Sequence, residues 1–573
     1  MADKSALDES VTGAEALLRG LKFHGVDYLF ANAGTDFPTI VEELAKIPLQ
    51  EICVPLTIPH ETATVGMAHG YFLMTGAPQA VMVHVNVGLA NAVMGVINAS
   101  SDNVPVLVMS GRTPITESGR RGSRMTPIQY GQEMFDQSSL VKDVVKYHYE
   151  MRYPEQAEPL VARALAAATS APQGPVYLSL PREALAETFP PSRFPSPSPR
   201  PSASSAFPDP SHVQAVAERL RKAEAPLILV QRSDPEGALS EALQRFTLRH
   251  GIAVAEPFPV RNVMPSEHPT FIGYSAGSAL AEADVVLALD CDIPWIEATQ
   301  RPPERTTLIH IGPDPHFLRM PVRGYRTDLA IASEPAAFIK ALTQEMADEP
   351  FGTTQEERLQ ALKQANIDWR DRTRERAWAG NGAPVSTEWL SLCLSEALEG
   401  ADAAVFSELG ALPGAMALTG PNQFFVNPHS GGLGWGMPAA LGAKLARPEK
   451  TVVAVVGDGT YIFANPTACH QISEALGLPT LTIIKNNGQW NAVRRSVVNA
   501  YPDGAAAKAN QMPLTSLEPM PDFLKVAEAS RAHTERVEHG KDLPAALRRA
   551  LRAMRDEGRQ AVIEVRVEVS DAY

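Results

Sequence analysis

The sequence predicts an α/β protein built from three doubly wound, parallel-sheet domains, and three observations support this prediction. The chain has 573 residues, which at about 150 residues per domain gives three or four compact units. Short apolar runs alternate with amphipathic stretches, as in repeated βα units. Two segments interrupt this alternation, so the expected domains are 1–189, 211–345 and 384–573, with linkers at 190–210 and 346–383.

Each series contains short apolar runs that predict strands. The first series has VDYLFAN, QAVMVHV, VPVLVMSG and GPVYLSLP. After it, residues 190–210 are too rich in proline and serine to pair in a sheet, which indicates an extended linker. The second series has APLILVQ, ADVVLALD and TTLIHIG, followed by the charged stretch TQEERLQALKQANIDWRDRTRERAWAG, which predicts a linker helix. The third series has AAVFSE, TVVAVVGDG, LPTLTIIKNNG and QAVIEVRV.

Composition narrows the class of partner. The net charge is −14, so we expect neither nucleic acid nor an anionic membrane as a partner, only small molecules. No apolar run approaches the ~20 residues that span a bilayer. The first ten residues are polar and acidic, unlike a signal peptide, which favours a cytoplasmic protein. Four scattered cysteines without a CxxC pair predict buried thiols and neither disulfides nor a zinc site.

Two neighbouring strand ends carry oxygen ligands. One predicted strand ends at Gly457-Asp458-Gly459, and the next ends at Asn486-Asn487-Gly488. Parallel strands end at one edge of a sheet, where α/β proteins bind ligands. A lone Gly-Asp-Gly is typical of an ordinary turn, but the second polar strand end favours a metal site. One carboxylate, one amide and one backbone carbonyl suit Mg²⁺.

This pair of motifs resembles the signature of the thiamine-diphosphate-dependent decarboxylases and carboligases, the family of acetolactate synthase, pyruvate decarboxylase and benzoylformate decarboxylase. The resemblance extends over nearly the whole chain. It implies that Asp458, Asn487 and the carbonyl of Gln489 bind Mg²⁺, which bridges to the diphosphate. Asp458 and Asn487 are 487 − 458 = 29 residues apart, slightly more than is usual, and we expect the extra residues in a loop, YIFANP.

Other segments match the family's cofactor-binding loops. HSGGLGWGMPAALGAKLA is similar to its glycine-rich segment, which implies that Leu433 wedges the cofactor into a bent shape. Backbone amides of Gly410 and Ala411 are implied to bind the diphosphate. In this view the first domain binds the pyrimidine and the third binds the diphosphate. The implied cofactor-binding residues are Gly34, Glu61, Gly88, Asn91, Gly410, Ala411, Gly432, Leu433, Gly457, Asp458, Gly459, Thr460, Asn487, Gln489 and Trp490.

Glu61 is the first candidate catalytic residue. It begins a predicted helix in IPHETATVGMAHG, where an acidic residue is often only favourably placed against the helix dipole. The resemblance implies a specific role. The matching glutamate of the family binds N1′ of the pyrimidine and promotes removal of the thiazolium proton, which gives the ylide.

Three further residues are candidates for the reacting centre. His84 aligns with an active-site histidine of benzoylformate decarboxylase, so it is a predicted acid or base, with a buried core histidine as the alternative. Thr35 either binds the substrate carboxylate or caps the following helix. Gln132, in YGQEMFDQ, matches acetolactate synthase and is expected to face the reacting centre. Structural or solvated roles are expected for His60, His69, His148, His429 and His470.

Two charged segments bear on ligands. The middle domain of acetolactate synthase binds FAD, and an arginine-bearing segment follows the strand that matches DVVLALD; here Asp292 lies in that segment, so we expect no FAD. After the NNG turn, Arg494 and Arg495 either face solvent or bind an anionic group of the substrate.

The resemblance implies an enzyme that needs thiamine diphosphate and Mg²⁺ and acts on a 2-oxo acid. The ylide adds to the substrate, and loss of CO₂ then produces an enamine. That enamine is either protonated or passed to an acceptor, as in acetolactate synthase. The alternatives are a C–C lyase for a 2-hydroxyacyl or 1,2-diketone substrate and a non-catalytic cofactor-binding homologue. The family also implies a homodimer, or a dimer of dimers, in which Glu61 of one chain and Asp458 of its partner share a cofactor.

Overall fold

The structure is a computed structural model that describes residues 10–193, 197–349 and 352–569. The polar N-terminal residues 1–9 and small parts of both predicted linkers lie outside these ranges. All eleven predicted strands are present, and they belong to three parallel sheets. The predicted fold class, three α/β domains with parallel sheets, is confirmed.

The first segment, 10–193, contains a six-stranded parallel sheet with the order β3-β2-β4-β5-β7-β6 and a short antiparallel pair, β1 with β8. Its strands are β1 (Val11–Thr12), β2 (Tyr28–Ala31), β3 (Val54–Thr57), β4 (Gln79–Val83), β5 (Val106–Arg112), β6 (His148–Glu150), β7 (Val176–Pro181) and β8 (Thr188–Phe189). Its helices are α1 (Gly13–Phe23), α2 (Pro38–Lys46), α3 (Glu61–Thr75), α4 (Val85–Ser101), α5 (Ile128–Gly131), α6 (Ala157–Thr169) and α7 (Arg182–Ala186).

The second segment, 197–349, contains a five-stranded parallel sheet with the order β10-β9-β11-β12-β13. Its strands are β9 (Pro226–Val230), β10 (Ala253–Ala255), β11 (Val285–Leu289), β12 (Thr307–Gly312) and β13 (Leu329–Ala332). Its helices are α8 (Pro210–Lys222), α9 (Ala238–His250), α10 (Gly277–Glu282) and α11 (Pro335–Glu345). Apolar side chains from β9, β11 and β12 form its core with α8, α9 and α11.

The third segment, 352–569, begins with the long helix α12 (Thr353–Ala379) and contains a six-stranded parallel sheet with the order β15-β14-β16-β17-β19-β18. Its other helices are α13 (Thr387–Ala397), α14 (Gly436–Ala446), α15 (Asp458–Phe463), α16 (Pro466–Ala475), α17 (Asn491–Ala500), α18 (Phe523–Glu528) and α19 (Leu543–Glu557). Its strands are β14 (Ala403–Glu408), β15 (Phe424–Val426), β16 (Thr451–Gly457), β17 (Leu481–Asn486), β18 (His533–Val537) and β19 (Ala561–Arg566).

The chain forms two compact units. The first comprises Met1–Ser204, Pro428–Pro448 and Ala464–Leu476, so it includes α14 and α16. The second comprises Ser205–Asn427, Glu449–Phe463 and Gly477–Tyr573. The five predicted domain and linker ranges stay predictions. Within the described ranges, no helix is both long and apolar enough to cross a membrane.

One local prediction is wrong. The segment YIFANP is not a loop, because Asp458–Phe463 form α15 immediately after β16. Only Ala464 and Asn465 separate α15 from α16, and Asn465 adopts a left-handed conformation with φ +57° before Pro466. Asp458 is therefore the first residue of a helix.

Candidate active site

The order of the first sheet places its ligand-binding edge between β2 and β4. Chain connections leave these two neighbouring strands in opposite directions, which opens a crevice at their carboxyl ends. The segment after β2 carries Gly34, Thr35 and Asp36, and the residue after β4 is His84. Predicted site residues from separate parts of the sequence therefore meet at one edge of this sheet.

His84 lies between two polar side chains at this edge. Its Nδ1 is 2.5 Å from Oδ1 of Asp36, and its Nε2 is 3.1 Å from Nε2 of Gln132. Asp36 and Gln132 are buried, whereas the His84 side chain is 16% exposed. The structure brings His84 and Gln132 together, and Asp36 is a partner that sequence reasoning missed.

Gln132 is followed by an ionic anchor. Glu133 accepts hydrogen bonds from the Thr113 hydroxyl at 2.6 Å and from Nη2 of Arg112 at 2.7 Å, and it also pairs with Arg124. Burial opposes ionisation, but these hydrogen bonds hold the pKa of Glu133 below its ordinary value. The two residues of the Gln-Glu motif thus have different roles. Glu133 fixes the segment, and Gln132 contacts His84.

Glu61 is the first residue of α3 and is half-buried. Its Oε2 accepts a hydrogen bond from Nδ2 of Asn91 at 3.2 Å. Gly88 lies beside both candidate groups, because a Cβ there would be 3.2 Å from Oε1 of Glu61 and 3.4 Å from Cβ of His84. Glu61, Gly88, Asn91 and His84 therefore form one group around the start of α4.

Thr35 is exposed at the same edge. The alternative helix-capping role is wrong, because α2 begins after Phe37 and has no side-chain cap. Neighbouring Gly34 lies directly against His84, and a Cβ at this position would overlap the imidazole Nδ1. A side chain there would displace the histidine.

The glycine-rich loop before α14 is held by α4. The Asn98 amide donates to the carbonyl of Gly432 at 2.9 Å, and its Oδ1 accepts from the Gly432 N–H at 3.2 Å. Leu433, the predicted wedge, follows and is half-buried. Asn98 is fully buried, so its paired hydrogen bonds specify the position of this loop.

Helices α3 and α14 meet through small residues. A Cβ at Gly70 would overlap the carbonyl of Ala439, and one at Gly442 would overlap the carbonyl of Met67. Only glycine permits this approach of the two backbones. The packing joins the helix that begins with Glu61 to the helix that follows Leu433.

The loop after β14 is sharply bent. Glu408 ends the strand, and Leu409 has φ +54°, a conformation that costs a non-glycine residue energy. The bend presses Gly410 against β16, where a Cβ would overlap the carbonyl of Val455. Strained conformations cluster at functional sites. Here the bend positions Gly410 and Ala411, the residues of the predicted diphosphate loop.

Asp458 and Asn487 meet at the carboxyl edge of the third sheet, as predicted. Gly457 lies opposite Lys485 in the β16–β17 register, so the residues after both strands are neighbours. The Asp458 carboxylate accepts from the backbone N–H groups of Asn487 at 3.0 Å and Gly488 at 2.7 Å. Burial raises the pKa of Asp458, and these N–H donors oppose that rise.

The donor set of this edge fits Mg²⁺. Asp458 supplies a carboxylate, Asn487 an amide oxygen and Gln489 a backbone carbonyl, all hard oxygen donors. The Gln489 carbonyl also accepts from Asn491 N–H at 2.8 Å, which leaves its second lone pair for a cation. No cluster of three or more His, Cys, Asp or Glu side chains suited to a metal occurs in the described ranges, but Mg²⁺ needs few protein ligands.

Trp490 closes the side of this edge. Its ring fills the space beside Gly459, where a Cβ would overlap it, and meets Phe463 edge-on at 5.7 Å. The backbone N–H of Trp490 donates to the carbonyl of Thr515 at 2.7 Å. Thr460 is buried in the first turn of α15. The helix start and the NNG turn are therefore packed together by an aromatic side chain.

The central sheet has an analogous crevice between β9 and β11, and an ion pair fills it. Arg232 follows β9, and its Nη2 is 2.8 Å from Oδ2 of buried Asp292 after β11. Arg323 donates to the carbonyls of Cys291 and Asp292, each at 2.8 Å. The sequence showed the acid at this point and missed the arginines beside it.

Five other histidines and the four cysteines differ in burial and contacts. His60 accepts from Thr62 N–H at 3.3 Å as the N-cap of α3, and His69 is fully buried 3.3 Å from Asp102. His470 is buried in α16, and His148 lies exposed on β6. His429 precedes the glycine-rich loop. All four cysteines are buried free thiols, as predicted.

Three family profiles match the chain along its length. They describe thiamine pyrophosphate enzymes: the N-terminal TPP-binding domain matches residues 11–140, the central domain 213–342 and the C-terminal TPP-binding domain 410–565. The chain belongs to the thiamine-pyrophosphate-dependent decarboxylase and carboligase family. Thiamine diphosphate is therefore its cofactor, and the two outer profiles cover Glu61 and the Asp458–Asn487 edge.

Similar proteins align with most of this chain. The acetolactate synthase large subunit of Parasynechococcus marenigrum is 25% identical, in an alignment that covers 91% of this chain and 82% of that subunit. Benzoylformate decarboxylase of Pseudomonas aeruginosa is 26% identical, covering 83% and 85%. The solved 4-hydroxybenzoylformate decarboxylase of Rhodococcus jostii RHA1 has a TM-score of 0.76 at 21% identity, covering 98% of this chain and 100% of its own. That structural likeness shows the shared fold.

Proposed function

We propose that this protein is a thiamine-diphosphate- and Mg²⁺-dependent enzyme that acts on a 2-oxo acid, by decarboxylation, carboligation or both. The proposal rests on the side chains that meet at the edge of the first sheet. A carboxylate, Glu61, and an imidazole, His84, both lie beside Gly88, and the Gln132 amide is hydrogen-bonded to the imidazole. A site that only retained a cofactor would have no need for an acid–base pair beside it.

When bound, thiamine diphosphate supplies an electron sink for the carbon–carbon bond that breaks. Each side chain then has a separate task. The Glu61 carboxyl holds a proton for the pyrimidine ring, with Asn91 orienting its second oxygen. His84 moves a proton at Nε2, within reach of Gln132. Thr35, exposed at the same edge, is the proposed donor to the substrate carboxylate.

The third sheet is the proposed holder of the diphosphate end. Asp458, Asn487 and the Gln489 carbonyl would hold Mg²⁺. The N–H groups of Gly410 and Ala411 would bind phosphate oxygens in the bent loop after β14. Leu433 is the proposed wedge beneath the cofactor.

The second candidate is a C–C lyase for a substrate with an anionic group, and one cavity offers a binding site for such a group. Arg494 lines a cavity together with Gln489, Asn510, Gln511 and Ser516. A guanidinium among amide and hydroxyl groups suits a carboxylate or phosphate. If this cavity binds substrate, Arg494→Gln should raise KM for the anionic substrate about tenfold or more and leave thiamine diphosphate affinity unchanged.

The test is CO₂ release from a panel of 2-oxo acids by purified protein with thiamine diphosphate and Mg²⁺, with product identification. Release that requires both additions supports the proposal. Cleavage of 2-hydroxyacyl or 1,2-diketone substrates without activity on 2-oxo acids favours the lyase. Cofactor binding without turnover of any of them would identify a non-catalytic homologue.

We further propose a homodimer, or a dimer of dimers, with a cofactor shared between chains, and a cytoplasmic location with no nucleic-acid or membrane partner. Exchange of subunits between inactive Glu61→Gln and inactive Asp458→Ala proteins tests the shared site. Regained activity supports it, whereas exchanged subunits that stay inactive contradict it. The absence of FAD stays a prediction, and stoichiometric flavin absorbance in purified protein would contradict it.

A further inference from the structure

The carboxylate of Asp36 makes two contacts across the crevice of the first sheet. Oδ1 lies 2.5 Å from Nδ1 of His84. Oδ2 accepts the backbone N–H of the next residue, Val85, at 3.1 Å. Asp36 is only 3% exposed, so water competes little for either bond. One side chain thus fixes both the ring and the backbone at His84.

The partner on the other side of the ring decides its tautomer. Nε2 of Gln132 carries two hydrogens and no lone pair, so it can only donate to Nε2 of His84, at 3.1 Å. This arrangement corresponds to the tautomer in which the ring nitrogen facing Gln132 is an acceptor and the ring proton is on Nδ1, where Asp36 accepts it. Because Asp36 holds the ring proton on Nδ1, Nε2 of His84 is unprotonated.

Two glycines make room for this arrangement. A Cβ at Gly34 would overlap Nδ1 of His84, and a Cβ at Gly111 would overlap Oδ2 of Asp36. Gly111 lies on β5, away from Gly34 in the sequence. Both positions leave space that the Asp36–His84 pair occupies.

The backbone after His84 is strained. Val85 has φ +30° and is buried, which is an outlier for a β-branched residue. Such conformations persist where the surroundings hold them, and they cluster at functional sites. The bond from Val85 N–H to Asp36 is one restraint that holds this turn between β4 and α4.

We infer that Asp36 is the positioning residue for His84: it fixes the imidazole with Nε2 unprotonated and holds the turn that aims the ring at the reacting centre. This inference rests on the proposed function of His84. Nothing in the chain's sequence motifs pointed to Asp36. Its role is to act through His84, and no contact with substrate is assigned to it.

The variant that tests this is Asp36→Asn. Its Oδ1 can still accept from Val85 N–H, but its amide nitrogen then donates to Nδ1 of His84 and moves the ring proton to Nε2. We expect kcat to fall ~10²–10³-fold, as for loss of an acid–base group, with little change in KM and thiamine diphosphate affinity. Glu158→Gln is the matched control, because it alters another buried pair, His24–Glu158 at 2.8 Å, and should leave kcat unchanged.

The deciding readout is the ¹⁵N spectrum of histidine-labelled protein without cofactor, with the His84 signals assigned by their loss in His84→Ala. We expect the Nδ1–H tautomer in the wild type and the Nε2–H tautomer in Asp36→Asn. An Nε2–H tautomer in the wild type, or an unchanged tautomer in the variant, would overturn the inference. The wild-type spectrum decides even where the variant does not fold. Because this readout uses no substrate, it stands apart from a failure to find decarboxylation.

Discussion

Replacing Glu256 with glutamine should remove much of the pH dependence of stability between pH 6 and pH 8. Glu256 follows β10 in the central domain and has no exposed surface. Its Oε1 accepts the N–H groups of Val263 at 3.1 Å and Met264 at 2.6 Å. Its Oε2 has no hydrogen-bond partner among the described residues. Burial raises the pKa of Glu256 from 4.5 to about 8, against those two hydrogen bonds.

The sign and size follow from proton linkage. The folded state keeps the proton that the unfolded state releases above pH 4.5, so this group's stabilising contribution is complete below pH 4.5 and declines as pH rises towards 8. With these values the decline between pH 6 and pH 8 is about 2 kcal/mol, at 1.36 kcal/mol per pH unit where the slope is full. Glutamine at position 256 keeps the oxygen acceptor and stays neutral, so it lacks this decline.

The assay is urea unfolding at pH 6, 7 and 8, followed by tryptophan fluorescence. The unfolding free energy of wild type minus Glu256→Gln should fall by about 2 kcal/mol over this range. Glu241→Gln, at an exposed carboxylate on α9 that is 64% accessible, is the control and should follow the wild type. Parallel curves for wild type and Glu256→Gln would refute a buried neutral carboxyl.

Two other predictions concern the first sheet. Gly34→Ala should push the His84 ring aside and lower turnover ~10²–10³-fold, about as far as His84→Ala does. Calorimetry should show an unchanged affinity for thiamine diphosphate. Wild-type turnover in Gly34→Ala would show that the close approach of Gly34 to His84 is unimportant. Glu61→Gln should bind cofactor nearly as well but slow hydrogen–deuterium exchange at the thiazolium carbon by orders of magnitude, because an amide holds no acidic proton. Exchange at the wild-type rate would remove Glu61 from the proposed role.

The sequence was sufficient for the inner strands of every sheet and insufficient for the outer ones. Strands such as β4, β5 and β16 are buried on both faces, so they form continuous apolar runs. The six unpredicted members of the parallel sheets, β3, β6, β10, β13, β15 and β18, are the edge strands. They are short or partly exposed, as in HYE of β6 and HTERV of β18, and carry little periodic signal.

The site divides in the same way. Asp458 and Asn487 were predictable because each follows a strong apolar strand and both belong to one motif. Asp36 was not, since an Asp before a helix is common, and only the sheet order places it beside His84. Asn98 was also missed, because an asparagine inside an apolar helix gives no sign that it binds a loop 334 residues away. No sequence motif includes Asp36, which directly follows Thr35 in the segment before α2.

The central claim is that the Asp458–Asn487 edge holds Mg²⁺ and, through it, the diphosphate of the cofactor. Calorimetric titration of chelator-treated protein with thiamine diphosphate, with and without Mg²⁺, tests it most directly. We predict binding that requires Mg²⁺ in the wild type and in the control Asp402→Ala, which removes an exposed carboxylate, and no measurable binding in Asp458→Ala. Full thiamine diphosphate affinity in Asp458→Ala, or wild-type affinity without Mg²⁺, would contradict the claim.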